Sequence, residues 1–321
     1  MKINIIGGSG FIGTRLCELL ASVGIRDFKI IDKRPSERFP SHCVVADVRS
    51  LDALRGAIDE EALILNLAAE HQDNVRPVSL YSAVNVDGAS NVCVVAREKR
   101  VCAIIFTSSV AVYGEADRGA DEEAPIRPIN EYGRTKAEAE AIFSQWQSES
   151  RDERSLLIIR PTVVFGEGNR GNVYNLLRQI HQGQFVMVGS GNNLKSMAYV
   201  GNVAAFLLHA IVKRVRGRQV VNYVDKPDFS TADLVAFARR MMGYKKGVGV
   251  RLPVTFALGA GFVLDGISAM TGKKFPISRI RIKKFCADSC YASRAVDLGF
   301  KAPFLLTEAL ERTIHHEFDA S

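Results

Sequence analysis

Short apolar runs alternate with amphipathic stretches over the first half of the chain. Ile3–Ile6, Phe28–Ile31, Cys43–Val45, Leu63–Leu67, Ala103–Thr107 and Leu156–Ile159 are each three to five residues long and largely uncharged. Runs of this length, separated by helix-length segments, predict buried strands joined by helices. A sheet whose strands are apolar on both faces is parallel and covered by helices on each side. The expected fold is therefore α/β, a doubly wound parallel sheet. A helix is predicted from Thr14 to Val23 and another from Tyr132 to about Glu149. Beyond Phe165 the pattern becomes irregular and glycine-rich (FGEGNRGN), followed by a helix over Asn172–His181 and a strand near Phe185–Val188. The apolar segment SMAYVGNVAAFLLHAI is expected to return to the first lobe. This gives a nucleotide-type domain over 1–165 with a returning segment at about 196–227. Residues 166–195 and 228–321 are expected to form a smaller lobe. Ligands bind beyond the carboxyl ends of such strands.

The first strand runs straight into GGSGFIG, with Gly7, Gly8, Gly10 and Gly13 before a helix. Glycines there let the backbone turn tightly and approach a pyrophosphate, and the helix N-terminus supplies free N–H groups and a positive dipole end. Phe11 and Ile12 lie inside this turn. The second strand ends at Asp32, 19 residues beyond Gly13. A carboxylate at that place hydrogen-bonds a ribose diol and repels a 2′-phosphate, which favours NAD over NADP. Lys33 and Arg34 act in the opposite sense. Downstream stands Tyr132-Gly-Arg-Thr-Lys136, preceded by FTSSVAVYG with Thr107, Ser108 and Ser109. A phenol is a weak base near neutrality, with a pKa of about 10. A lysine at i+4 shares its helix face and is expected to favour the phenolate. Ser109 is placed to hydrogen-bond the same substrate oxygen. The combination points to hydride transfer.

These motifs are similar to those of extended short-chain dehydrogenases/reductases of the nucleotide-sugar epimerase type, over nearly the whole chain. The resemblance implies that Asp47 and Val48 border the adenine and that Leu67, Ala68 and Ala69 line the cofactor. It implies that Asn85 is the family's structural asparagine and that Arg160-Pro161-Thr162 pass beside the nicotinamide. Asn66 and Asn202 read equally well as turn or capping residues. Dehydratases of this superfamily carry an Asp-Glu pair after the threonine that corresponds to Thr107. Here Ser108 and Ser109 follow, so net loss of water is disfavoured. An epimerase or a 4-keto-sugar reductase remains.

In the outer half, LAAEHQDNVRPVSLY, ERSLLIIRPTVVFGEGNRGNVYNLLRQI, KSMAYVGNV, VVNYVDKPD and TGKKFPISRIRIKKFCA resemble the bacterial 4-epimerases of O-antigen assembly. Those act on N-acetylglucosamine carried on undecaprenyl diphosphate. The resemblance implies Asn172, Lys195 and Arg281 as substrate contacts. Lys195 stands where UDP-sugar epimerases place an arginine, and lysine binds phosphate without the planar fork. The alternatives are a UDP-GlcNAc or UDP-glucose 4-epimerase, a UDP-4-keto-6-deoxy-hexosamine reductase, and a non-catalytic NAD-binding regulator.

Bulk properties narrow the partners. The chain has 321 residues, 47% hydrophobic and 24% charged, and a net charge of +7. No run reaches the roughly 18–20 apolar residues of a membrane span, and no signal peptide is expected ahead of the first strand. The six cysteines read as reduced thiols, and no metal site is expected. Between Lys273 and Lys284 there are six basic residues and no acid; Lys213, Arg214, Arg216 and Arg218 form a second cluster. Basic runs suit an anionic partner. Nucleic acid is disfavoured because aromatics are not interleaved with the charge. The segment LPVTFALGAGFVLDGISAM is apolar on nearly every face and flanked by Lys245, Lys246, Arg251, Lys273 and Lys274. It reads either as an interfacial helix on the cytoplasmic face of a membrane or as a helix buried in the small lobe or a homodimer interface.

Overall fold

The computed structural model describes residues 1–72, 75–245, 247–259, 262 and 279–318. In chain order the elements begin with β1 (Ile3–Ile6), α1 (Phe11–Ser22), β2 (Phe28–Asp32), β3 (Cys43–Val45) and α2 (Leu51–Ala57). Next come β4 (Leu63–Asn66), α3 (Ser79–Ser82), α4 (Gly88–Glu98), β5 (Ala103–Thr107), α5 (Glu131–Ser148), β6 (Ser155–Pro161) and β7 (Val163–Phe165). Then follow α6 (Asn172–His181), β8 (Met187–Val188), β9 (Leu194–Tyr199), α7 (Val200–Lys213), β10 (Arg218–Tyr223) and β11 (Asp225–Ser230). The last are α8 (Thr231–Met241), β12 (Arg251–Leu252), α9 (Arg279–Cys286) and α10 (Leu306–Phe318).

Seven strands form one parallel sheet in the order β10-β6-β5-β4-β1-β2-β3. The order reverses between β1 and β4, the crevice where doubly wound sheets bind their ligands. Alternate residues of each strand feed two cores. Ile3, Ile5, Leu65, Ile105, Leu157 and Val221 pack on one face against Leu16 and Leu20 of α1 and Phe206 and Leu207 of α7. Ile6, Ile64, Ile104, Phe106 and Ile158 pack on the other against Val92 of α4 and Ala139, Phe143 and Trp146 of α5. Burying each large side chain stabilises the fold by about 1.5–3 kcal/mol. The register puts Ile6 opposite Asn66, Asn66 opposite Phe106 and Thr107 opposite Ile159. The strand ends therefore line up, and the residues after β1, β4, β5 and β6 emerge along one edge.

The chain divides into two compact units. The first comprises 1–164, 198–224 and 291–304; the second comprises 165–197, 225–290 and 305–321. The segment 291–304, expected in the smaller lobe, packs with the sheet instead. Ala295 enters the core beside Phe300, and Tyr291 stacks on Tyr113 at 5.9 Å. In the second unit β9 pairs antiparallel with β11, and β8 pairs with β12. Leu177, Val235, Leu310 and Ile314 from α6, α8 and α10 are buried.

Candidate active site

Gly7 has φ +79°, and a Cβ there would lie 2.6 Å from the Ala68 nitrogen. No other residue type fits a turn that close to the end of β4. A Cβ on Gly13 would meet the Gly8 backbone at 2.5 Å, so this glycine lets α1 seat against the turn. Gly10 is different: a Cβ would touch only the Gly7 carbonyl, at 3.2 Å, and faces otherwise open space. No side chain caps α1 and no acidic residue occupies its first turn. The helix begins at Phe11, earlier than the predicted Thr14, so the amides of Phe11, Ile12 and Gly13 form its uncapped N-terminus. Asp32 is locked in place. Its Oδ2 accepts from the Ser9 amide at 3.1 Å and its Oδ1 from the Arg34 amide at 3.2 Å, while the Ser9 hydroxyl donates to the Arg34 carbonyl. Ser9, passed over in the sequence, thus ties the turn to the end of β2. An open turn, an uncapped helix end and a fixed carboxylate fit a dinucleotide.

Leu67, Ala68 and Ala69 leave β4 partly exposed at the same edge. The Asn66 side chain accepts from the Ala68 amide at 3.2 Å, the turn role open to it from the sequence. Asn202 exchanges two hydrogen bonds with the Phe304 backbone, also a structural role. Asn85 is buried in a wide π-helical turn over 83–87. It accepts from the Glu70 amide at 2.8 Å and donates to the Glu70 carbonyl and to Thr135 Oγ1. Its side chain joins the segment after β4 to α5, which makes it a positioning residue. Val48 is buried against Gly88. The Asp47 carboxylate is held by Arg49, whose guanidinium keeps it below the usual carboxylate range. Pro161 ends β6, buried opposite Tyr223.

The acid–base group sits at the end of β5 and the start of α5. Asn130 caps α5 by accepting from the Gly133 amide at 2.8 Å. A Cβ on Gly133 would stand 2.3 Å from the Ala111 carbonyl, so this glycine allows α5 to press on the serine segment. The Ser109 hydroxyl accepts from the Ala111 amide at 3.1 Å. Burial pushes the Tyr132 phenol up to about 12, and Ser109 opposes that shift. Lys136 is 2% exposed. Its Nζ donates to the Thr107 carbonyl at 2.7 Å and stands 4.6 Å from the Phe106 ring centre. Burial pulls Lys136 down to about 7, and Glu140 works against that. The lysine is spent on a backbone carbonyl, and the phenol is governed by burial. Thr107 Oγ1 and Ser108 Oγ are buried without a hydrogen-bond partner in the structure. Such orphans at a strand's carboxyl end suit a bound polar group.

The substrate candidates of the second unit are less alike. Asn172 is exposed in the first turn of α6. Lys195 does not stand free: its Nζ donates to the carbonyls of Lys284 and Ala287 at 3.1 and 2.7 Å, at the C-terminal end of α9. A cation there complements the helix dipole. Arg281 belongs to α9, and its side chain lies outside the described residues, as do Lys246, Lys273, Lys274 and most of the apolar segment past residue 259.

Residues 3–224 match the NAD dependent epimerase/dehydratase family. The chain is 46% identical over 320 residues to the N-acetyl-alpha-D-glucosaminyl-diphospho-ditrans,octacis-undecaprenol 4-epimerase of Escherichia coli O157:H7, covering 99% of this chain and 95% of that protein. It is 27% identical over 250 residues to the UDP-glucose 4-epimerase of Vibrio cholerae, covering 73% and 74%. Among solved structures, MoeE5 in complex with UDP-glucose and NAD superposes with a TM-score of 0.75 at 23% identity, covering 100% and 99%. The chain belongs to the NAD dependent epimerase/dehydratase family, as an NAD-dependent enzyme of the extended short-chain dehydrogenase/reductase type.

Proposed function

We propose that the protein is a 4-epimerase of an N-acetylhexosamine carried on a lipid diphosphate, converting undecaprenyl-diphosphate-linked N-acetylglucosamine to N-acetylgalactosamine for surface polysaccharide. The observation that carries the substrate is the 46% identity to the Escherichia coli enzyme, which runs through both units. The reaction is supported by Ser109, Tyr132 and Lys136 standing after β5 and at the start of α5, where Lys136 Nζ donates to the Thr107 carbonyl. NAD held at this edge would supply the hydride chemistry at the sugar C4. Tyr132 Oη takes the proton of the 4-hydroxyl as C4 becomes a ketone and gives it back when the other face of C4 is reduced. Ser109 steers that oxygen by hydrogen bonding. Acid–base help of this kind contributes about 10²–10⁴-fold. The turn at Gly7 and Gly10, the α1 N-terminus and Asp32 hold the dinucleotide; Asn85 holds the surrounding segments. Asn172, Lys195 and Arg281 are the residues proposed for the sugar diphosphate. For Lys195 this requires exchange of its two helix-end carbonyls for phosphate oxygens. The test offers UDP-GlcNAc and undecaprenyl-diphosphate-GlcNAc side by side. Conversion of the lipid-linked sugar at least as fast as the nucleotide supports the reading. Conversion of the nucleotide alone establishes the UDP-sugar alternative.

The same reading places the chain at an anionic membrane surface. Val250, Phe256 and Phe262 are exposed at 68%, 70% and 65%, and Arg251, Lys283 and Lys284 are exposed basic residues in the same unit. Apolar side chains dip into headgroups while cations meet anionic lipid at about 1 kcal/mol each. Among the described residues no helix is long and apolar enough to cross a membrane. Phosphatidylglycerol vesicles should retain the protein at low salt and release much of it at high salt. Absence of binding at low salt would remove this part of the reading.

A further inference from the structure

Tyr132, Lys136 and Glu140 occupy successive turns of α5, spaced i, i+4 and i+8 on one face. The mechanism above uses the first two. Glu140 is 3% exposed, one turn beyond Lys136 along α5. Its carboxylate is gripped by Arg160 of β6 through two bonds, Nε to Oε1 at 2.9 Å and NH2 to Oε2 at 2.6 Å, with both side chains buried. Arg160 is held in turn: its NH1 donates to Tyr113 Oη at 2.7 Å, and Tyr113 donates to Asn222 Oδ1 at 2.8 Å. The guanidinium lies 5.0 Å from the Tyr113 ring centre. A buried pair this expensive to desolvate seldom stabilises a fold more than apolar packing would. Its place one turn beyond a buried lysine suggests a different use.

We infer that Glu140 is the counter-charge that keeps Lys136 an ammonium, and that Arg160 is the strut that holds this carboxylate in place. Lys136 has left water for a site made of the Phe106 ring and one carbonyl oxygen, neither of which carries a formal charge. Without a nearby anion the ammonium would shed its proton, because burial favours the neutral amine. Glu140, buried one turn along the same face of α5, strengthens the lysine's hold on its proton. The other ionisable groups around this part of α5 do not take its place. Tyr113 is a phenol that burial keeps protonated. Cys93 on α4 is a thiol that burial pushes up to about 12. Glu122 is committed to the Asn222 and Arg294 amides. Arg160 fixes the position of the carboxylate, and its bidentate grip stops Glu140 from turning toward solvent. Glu140 and Arg160 are thus positioning residues, acting on the reaction only through Lys136.

This rests on the acid–base roles proposed above, and the experiment separates the two. The ratio of Glu140→Gln to wild-type kcat is followed from pH 6 to pH 9 on the NAD-loaded enzyme, with KM measured alongside. Loss of the counter-charge lowers the pH at which Lys136 deprotonates. The deficit should therefore be at least tenfold at the alkaline end and shrink as pH falls, with KM changed less than kcat. Glu140→Asp keeps the charge and should give a nearly flat ratio. Glu140→Gln leaves Arg160 buried and unpaired, so Glu140→Gln/Arg160→Gln is the version without a stranded cation. It should show the same pH-dependent deficit. A deficit uniform across pH, or none, would overturn the inference and leave the pair a packing device. Lys136→Met is the control. If that variant turns over normally, the acid–base reading itself fails; if it is inactive while Glu140→Gln is pH-flat, only the counter-charge inference fails.

Discussion

The Lys136 ammonium and the Thr107 carbonyl oxygen stand 2.7 Å apart. This bond joins the first turns of α5 to the end of β5, where the candidate proton-transfer serine follows two residues later. It occupies the charged end of the lysine with a backbone acceptor, while burial raises the Tyr132 phenol above its ordinary value.

Tyr132→Phe removes one oxygen and keeps the ring. Turnover should fall by about 10²-fold or more, with the far-UV spectrum and bound NAD unchanged. Near-normal turnover, measured by product formation, would assign the proton transfer elsewhere.

Lys136→Met should abolish turnover while leaving the protein as stable or more so. The usual lysine pKa is about 10.4, and burial pulls Lys136 down to about 7 in the folded chain. Between these values the unfolded chain binds more protons, so wild-type stability from this group rises as pH rises from 7 toward 10. Removing the buried ammonium removes the desolvation cost that pulls its pKa down, a cost felt most where the lysine is charged. Thermal melts at pH 7 and pH 9.5 should show the variant's advantage shrinking at the higher pH. A variant destabilised equally at both would contradict the electrostatic account.

Denaturing the purified protein should release NAD or NADH. Asp32→Ala removes the ribose acceptor and also frees the Ser9 amide. A lost hydrogen bond to a charged group amounts to about 1.5–3 kcal/mol, so NAD affinity should fall by roughly 10–100-fold. Calorimetry on the stripped enzyme measures it; release of mainly the 2′-phosphorylated dinucleotide would refute the role of Asp32.

Asn85→Ala strands the Glu70 amide and carbonyl and Thr135 Oγ1. Stability should fall by about 1–3 kcal/mol, read as a lower urea midpoint. An unchanged midpoint would show that the segment after β4 is held by other means.

Much of the nucleotide unit was legible in the sequence, because parallel strands buried on both faces read as short apolar runs. The first six strands were visible for that reason. β10 was not, because Arg218, Gln219 and Asn222 break its apolar pattern; its pairing with β6 comes from the tertiary fold. The segment 291–304 misled for a similar reason: Tyr291, Ala295 and Phe300 are too widely spaced to show periodicity. Within the site, residue types at fixed spacing identified Gly7, Asp32, Ser109 and Tyr132. Backbone partners leave no such signature. Nothing in the sequence showed that Lys136 reaches the Thr107 carbonyl, that Lys195 caps α9, or that Ser9 clamps Asp32. Glu140 was visible only as one more acid on α5; its meaning came from Arg160, 20 residues away.

The central claim is that a hydride leaves C4 of the sugar and returns to the same carbon from the other face. Substrate carrying deuterium at C4 tests it directly. After one equilibration in ordinary water, the account predicts epimerised N-acetylhexosamine with the deuterium still at C4, and a slowed rate if hydride transfer limits turnover. Product in which that deuterium has been lost to solvent would contradict it.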